Sequence, residues 1–205
     1  MTLQLIGFIM SLGGLCGLII GTFTNEWKTM GYQNEKSVNR ENYEGLWMEC
    51  EVTGVSSIDC TSFNSVLHQN FEIRLARVIM ITSIVVSSLG LLIAVFGLRC
   101  TRCLDENERS KDRAAFAGGI LSLCGGLLAL GLTSWFMHGI IDDFYQEDSP
   151  KEKFVIGRSL IGAFLASLLC LFGGMLLCAC SVTHLRFNGN LSKHLISKIP
   201  EKEYV

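Results

Sequence analysis

The polar residues of this chain are segregated, not dispersed. Leu3 to Phe23, Val78 to Leu98, Ala114 to Ile141 and Gly157 to Cys180 contain no Asp, Glu or Lys, and their one Arg, Arg158, sits at an edge. The chain-wide mean hydropathy of +0.40 conceals that division. A bilayer core of about 30 Å is crossed by about 20 apolar helical residues, and every run is long enough. Lipid offers the backbone no hydrogen-bond partners, so such runs take helical form. The pattern predicts four transmembrane helices, near residues 3–23, 78–98, 114–141 and 157–180. The first run has no positive leader and no small-x-small site after it, so it reads as a span and not as a cleaved signal peptide. The third run would form a helix of about 42 Å, longer than a bilayer needs. Its excess is expected to tilt or to project beyond the membrane.

Four spans put two polar segments, 24–77 and 142–156, on one side. The stretch Arg99 to Arg113 and the tail 182–205 lie on the other, so the membrane unit covers residues 1–181. Arg99 to Arg113 holds five basic residues and the tail four, against seven in the two longer opposite segments. The positive-inside rule places the termini in the cytoplasm and both segments outside the cell. Residues 25–77 carry eight acidic and five basic side chains, and residues 142–153 carry five and two. Both outer segments are therefore acidic.

Compartment sorts the nine cysteines. Cys50 and Cys60 are alone in the outer segment, where disulfides form and persist. Between them Gly54 breaks a run of β-favouring residues, which predicts a disulfide-clamped hairpin. Cys16, Cys124 and Cys170 lie within spans and read as small apolar residues. Cys100, Cys103, Cys178 and Cys180 fall at the cytoplasmic ends of the second and fourth helices, where S-palmitoylation is expected.

The spans carry little chemistry. Gly13, Gly17 and Gly21 on the first helix, and Gly118, Ser122 and Gly126 on the third, form ridges over which helices pack closely. Apart from His138, near an outer end, no ionisable residue lies deep in a span. That pattern speaks against a carrier, a pump or a pore through the four helices. No nucleophile–base pair, metal-ligand cluster or phosphate loop is visible, so no enzyme, cofactor or metal is expected, and no nucleic acid. The outer segments are where recognition should lie. The second of them opens on Asp142-Asp143-Phe144-Tyr145, whose aromatic pair suits a contact with another protein.

Trp27, Gly45-Leu46-Trp47, Cys50 and Cys60 reproduce the W…G-L-W-x-x-C…C signature of the claudins. Arg77 sits where claudins carry an arginine before the second helix. Gly97-Leu98-Arg99-Cys100-Thr101, Phe144-Tyr145 and the terminal Tyr204-Val205 resemble claudin features too, and the resemblance covers nearly the whole chain. The chain departs from the family at Gln146-Glu147, where an acidic-proline pair is usual, and at Gly162-Ala163-Phe164, which lacks a common tryptophan. The resemblance implies a left-handed four-helix membrane bundle topped by a small extracellular antiparallel sheet. It implies polymerisation with itself and other claudins, in one membrane and across two cells, in contact with membrane lipid at the tight junction. It further implies a paracellular barrier or an ion-selective channel, with the path running between cells. In a channel, Glu51 and Asp59 beside the disulfide would favour cations, with Lys28 opposing them. Val205 would dock, with Tyr204, on PDZ scaffolds of the zonula occludens type. The wider tetraspan group supplies the alternative, an auxiliary subunit or organiser of another membrane protein.

Overall fold

The computed structural model describes residues 2–31, 42–53, 57–62, 71–98, 108–146 and 153–196. In chain order they form α1 (Thr2–Phe23), β1 (Lys28–Gly31), β2 (Asn42–Glu44), β3 (Met48–Thr53), β4 (Ser57–Ser62), α2 (Phe71–Gly97), α3 (Glu108–Gln146), β5 (Lys153–Ile156) and α4 (Arg158–Ile196). All four helices are long and apolar enough to cross a membrane. The fold is a four-helix membrane bundle carrying a small antiparallel sheet.

The helices outrun the apolar stretches that announced them. A charge-free run measures the hydrocarbon, whereas a helix ends where its backbone loses partners. α2 begins at Phe71, seven residues before Val78, because Ile73, Ala76 and Met80 continue one buried stripe at helical spacing. α3 continues from Ile141 through Asp142 to Gln146. No Gly or Pro interrupts that stretch, and charge beyond the bilayer is no obstacle to a helix. The aromatic pair Phe144-Tyr145 thus lies in the last turns of a helix, not at a loop tip. α4 runs to Ile196, well into the segment read from sequence as a short tail.

α1 packs mainly on α4, α2 on α3, and α3 also on α4. Small residues set these contacts, those of the predicted ridges among them except Gly13, with Gly14 and Gly90 added. A Cβ on Gly14 would stand 2.6 Å from the Cys170 nitrogen, and one on Gly118 would stand 2.5 Å from the Gly90 carbonyl. Helix backbones approach that closely only where side chains are missing. Gly17 and Gly21 do face α4, against Ala166 and Ala163, but Gly13 faces open space. Gly118 meets α2, Gly126 meets α4, and Ser122 hydrogen-bonds Ser11 across the core (3.3 Å). The outward side chains are apolar, among them Ile9, Ile20, Leu92, Leu127 and Phe172. A surface of that kind is solvated by lipid.

The sheet order is β4-β3-β2-β1-β5, antiparallel throughout. β3 and β4 form the predicted hairpin. β5, from the second outer segment, pairs with β1, Lys28 opposite Ile156 through Gly31 opposite Lys153. One sheet therefore joins both outer segments. Its root, with Trp27 and Leu46, belongs to the same core as Ile73, Met80, Phe136 and Leu160 of the helices.

Candidate functional site

The outer end of α1 presents a problem that two tryptophans solve. The last four carbonyls of a helix have no partner within it. No basic residue occupies the last turn of α1. Ile20 accepts from the Thr24 amide (3.0 Å) and also from the Thr24 hydroxyl. The Trp27 indole donates to the Gly21 carbonyl (2.8 Å), and the Trp47 indole donates to the Thr22 carbonyl (3.0 Å). Each ring buries an apolar body while its N–H caps the helix, which is what an aromatic side chain with a polar edge can do.

The rings are braced in turn. Trp27, 1% exposed, meets Phe136 of α3 edge to face at 5.4 Å. Trp47 stacks on Phe23 at 6.3 Å, and the Arg77 guanidinium covers it at 5.1 Å. Arg77 Nε also donates to the Leu46 carbonyl (2.5 Å). The arginine thus holds the Gly-Leu-Trp turn by its backbone and its ring together. Gly45 leaves no room for a side chain: a Cβ there would lie 2.5 Å from the Asn25 Cα.

Trp27 serves a second helix through its backbone. Its carbonyl accepts from the Gly157 amide (3.0 Å), and the Glu26 carbonyl accepts from the Ser159 amide (3.1 Å). These are donors at the start of α4 that the helix itself cannot satisfy. A Cβ at Gly157 would fall 1.9 Å from the Glu26 oxygen, so only glycine allows this junction. Glu26, Gly157 and Phe136 were not singled out from the sequence. Gly157 opens the fourth apolar run, a pattern that predicts a helix there but not this junction.

Away from the root the sheet changes character. Cys50 and Cys60 are cross-strand partners and are bonded to each other (S–S 2.04 Å). One register step outward, Glu51 stands opposite Asp59, and one step inward Glu49 stands opposite Thr61. β2 adds Glu44 opposite Glu49. Like charges placed directly opposite on neighbouring strands repel, by about 0.2–1 kcal/mol. Asp59 is exposed. The structure brings Glu51 and Asp59 together but keeps Lys28 apart from them. Lys28 is opposite Glu44 at the root, with its ammonium 5.4 Å from the Phe136 ring centre. Glu44 has its pKa raised above the ordinary 4.5: burial raises it, Lys28 opposes, and Glu49 adds to the rise.

The remaining predicted positions are dispersed. Tyr145 is strongly exposed beyond the membrane end of α3. Nearby, His138 Nδ1 lies 2.9 Å from Asp142 Oδ2. Cys178 is half-buried with its Sγ toward the Phe116 carbonyl (3.8 Å), in the α3–α4 contact, and Cys180 is half-buried. Cys100, Cys103, Tyr204 and Val205 lie outside the described residues. Among the described residues, no group of three or more His, Cys, Asp or Glu could hold a metal ion.

The site's residues therefore do two things: they lock a sheet to a membrane bundle, and they project an acidic hairpin from it. Comparison with known proteins agrees with that architecture. The PMP-22/EMP/MP20/Claudin family model matches residues 1–177. Human Claudin-2 is 38% identical over 189 residues, covering 91% of this chain and 82% of that protein. Mouse Claudin-1 is 35% identical over 181 residues, covering 87% and 86%, and mouse Claudin-7 is 33% identical over 206 residues, covering 99% and 98%. By its helices, its braced sheet and these relatives, the chain belongs to the claudin family, the multi-pass membrane proteins of the tight junction that associate with one another.

Proposed function

We propose that this claudin polymerises into junction strands whose water-filled passages between cells prefer cations, with Glu51 and Asp59 as the selecting charges. The observation that carries this is the register pair itself. Two acidic residues, Glu51 and Asp59, are backbone register partners, one step from a disulfide that ties their strands together. A sheet built only for stability would not keep like charges there. Held close together, they create a local negative potential that attracts Na⁺ and repels Cl⁻. The acidic balance of both outer segments acts in the same direction. The path runs outside the bundle, whose interior is filled by Leu18, Met80, Leu132 and Leu160.

In this reading both termini face the cytoplasm, as the basic Arg99–Arg113 stretch requires. Tyr204-Val205 then engages a PDZ scaffold by strand addition, and one residue added after Val205 abolishes capture in a pull-down. The selectivity is tested by dilution potentials across epithelial layers expressing the wild type or Glu51→Gln/Asp59→Asn. The wild type favours Na⁺ over Cl⁻, and the double variant moves toward no preference. Anion preference in the wild type, or an unchanged ratio in the variant, sinks the proposal. Freeze-fracture of cells that lack strands of their own tests polymerisation: continuous strands support it, dispersed particles do not.

A further inference from the structure

At the end of the bundle away from the sheet, α4 outlasts its span. The apolar stretch ends at Thr183 and the helix at Ile196, about 20 Å farther. α3 begins at that end with Glu108, just ahead of its own span at Ser110. Contacts fix the depth of one helix against the other. The Cys178 thiol reaches the Phe116 carbonyl (3.8 Å), and a Cβ on Gly119 would stand 2.7 Å from the same sulfur. Gly126 meets Cys170 and Leu171, so the two helices run antiparallel. Counting on from the Cys178 contact brings Arg113 level with the last turn of the α4 span, and Arg109 level with Arg186.

Helical spacing then sorts the charges. On α3, the exposed Arg113 heads the outward stripe of Ala117, Ile120 and Leu127, and Arg109 falls on that face one turn earlier. On α4, the outward Phe172, Met175 and Ala179 lead at the same spacing to Arg186 and, two turns on, to Lys193. The nearby acids keep to another side. Asp112 is buried, and Glu108, one turn before it, shares its face. Residues 184–196 contain no acid at all. The adjoining stretches 99–107 and 197–205 each carry two basic and two acidic residues, so each is balanced in itself. Two lipid-facing stripes thus end in cations at one depth, with no carboxylate beside them on either face.

We propose that this end of the α3–α4 face binds the headgroup of an anionic phospholipid, in the leaflet away from the sheet, through Arg113, Arg109 and Arg186. Depth decides that the ligand is a lipid. Arg113 lies within the first turn of the α3 span, where a soluble anion or an acidic peptide must displace acyl chains to reach it. A lipid arrives with its chains already against Ile120 and Met175, both of which face outward. Charge decides which lipid. A zwitterionic headgroup brings an ammonium that finds no carboxylate on either face and is repelled by the cations, whereas an anionic headgroup is attracted by all of them. Guanidinium groups also grip phosphate oxygens through paired N–H donors. A headgroup held from both helices ties α3 to the length of α4 beyond its span. The proposal is independent of the cation preference, since Glu51 and Asp59 lie in the sheet at the other end, and of which leaflet faces the cytoplasm.

Native mass spectrometry of the full chain in maltoside detergent tests it, with dioleoyl phosphatidylglycerol and dioleoyl phosphatidylcholine as matched probes and glycerol 3-phosphate as a soluble third. The wild type retains phosphatidylglycerol over phosphatidylcholine by about tenfold. Arg113→Gln lowers that ratio about threefold, and Arg109→Gln/Arg186→Gln brings it near unity. Arg158→Gln, which removes an exposed cation at the sheet end of α4, leaves the ratio unchanged. Equal retention of the two lipids by the wild type overturns the proposal, as does a ratio that survives both the single and the double change. An equal loss in Arg158→Gln overturns it too, because the preference then belongs to net charge and not to this place. Glycerol 3-phosphate held as strongly as the lipid overturns the membrane source. Arg113→Gln alters an exposed side chain, so it decides alone if the double variant fails to fold.

Discussion

The root of the sheet and the tip of its hairpin belong to one outer segment, yet they are built on opposite principles. At the root, ring N–H groups and backbone carbonyls are put to work. Two indoles cap α1, two carbonyls cap α4, and Arg77 holds Leu46 and Trp47 together. At the tip, like charges oppose each other and one disulfide keeps them there. The difference teaches how a membrane protein can present unfavourable charge to water at a defined place. The structure concentrates its packing where the sheet meets the bundle. The tip is then free to carry charge that weakens it slightly.

The comparison breaks most visibly at Trp47 or Trp27. Replacing Trp27 by Ala removes a buried ring and a helix cap together, a loss of about 3–5 kcal/mol, and replacing the half-buried Trp47 should cost less. Thermal unfolding in detergent should show it, and delivery to the cell surface should fall. Trp27→Phe separates the two contributions, since it keeps most of the ring and loses only the bond to Gly21, about 1–3 kcal/mol. Next in size is the hairpin's own brace. Cys50→Ser/Cys60→Ser should lower stability by about 3 kcal/mol while the helices keep their circular-dichroism signal.

Glu51→Gln/Asp59→Asn should act in the opposite sense. It removes the repulsion and raises stability by about 0.2–1 kcal/mol, as it lowers cation preference. A variant that lost stability would mean that the tip's charges are structural, and the contrast with the root would collapse. The smallest effect concerns pH. Glu44 holds its proton more tightly in the fold than at its ordinary 4.5, chiefly through burial. Its ionised form is therefore a penalty, fully present above the folded pKa and relieved as pH falls through that value toward 4.5. The melting temperature of Glu44→Gln should exceed that of the wild type at neutral pH, and the gap should narrow on acidification. A gap that widened would reverse the sign.

By itself the sequence determined the four spans, because the absence of charge over twenty residues has one structural outcome in a bilayer. It determined the Cys50–Cys60 hairpin, because compartment and spacing left those two cysteines only each other. It marked Trp27, Gly45, Trp47 and Arg77 as a signature without showing what they do. Their partners are carbonyls of Gly21, Thr22 and Leu46, and a carbonyl leaves no trace in side-chain identity. Sequence alone also misplaced the ends of α2 and α3. Helices end where hydrogen bonding fails, and apolar runs end where water begins, so the two boundaries need not coincide. Tertiary structure alone decided that β5 joins β1, that Glu51 stands opposite Asp59, and that Lys28 stands opposite Glu44 beside the Phe136 ring. Each of these is a contact between segments whose separation in the chain says nothing about their distance in space. Strand register and helix phase set that distance, and both emerge only when the elements pack.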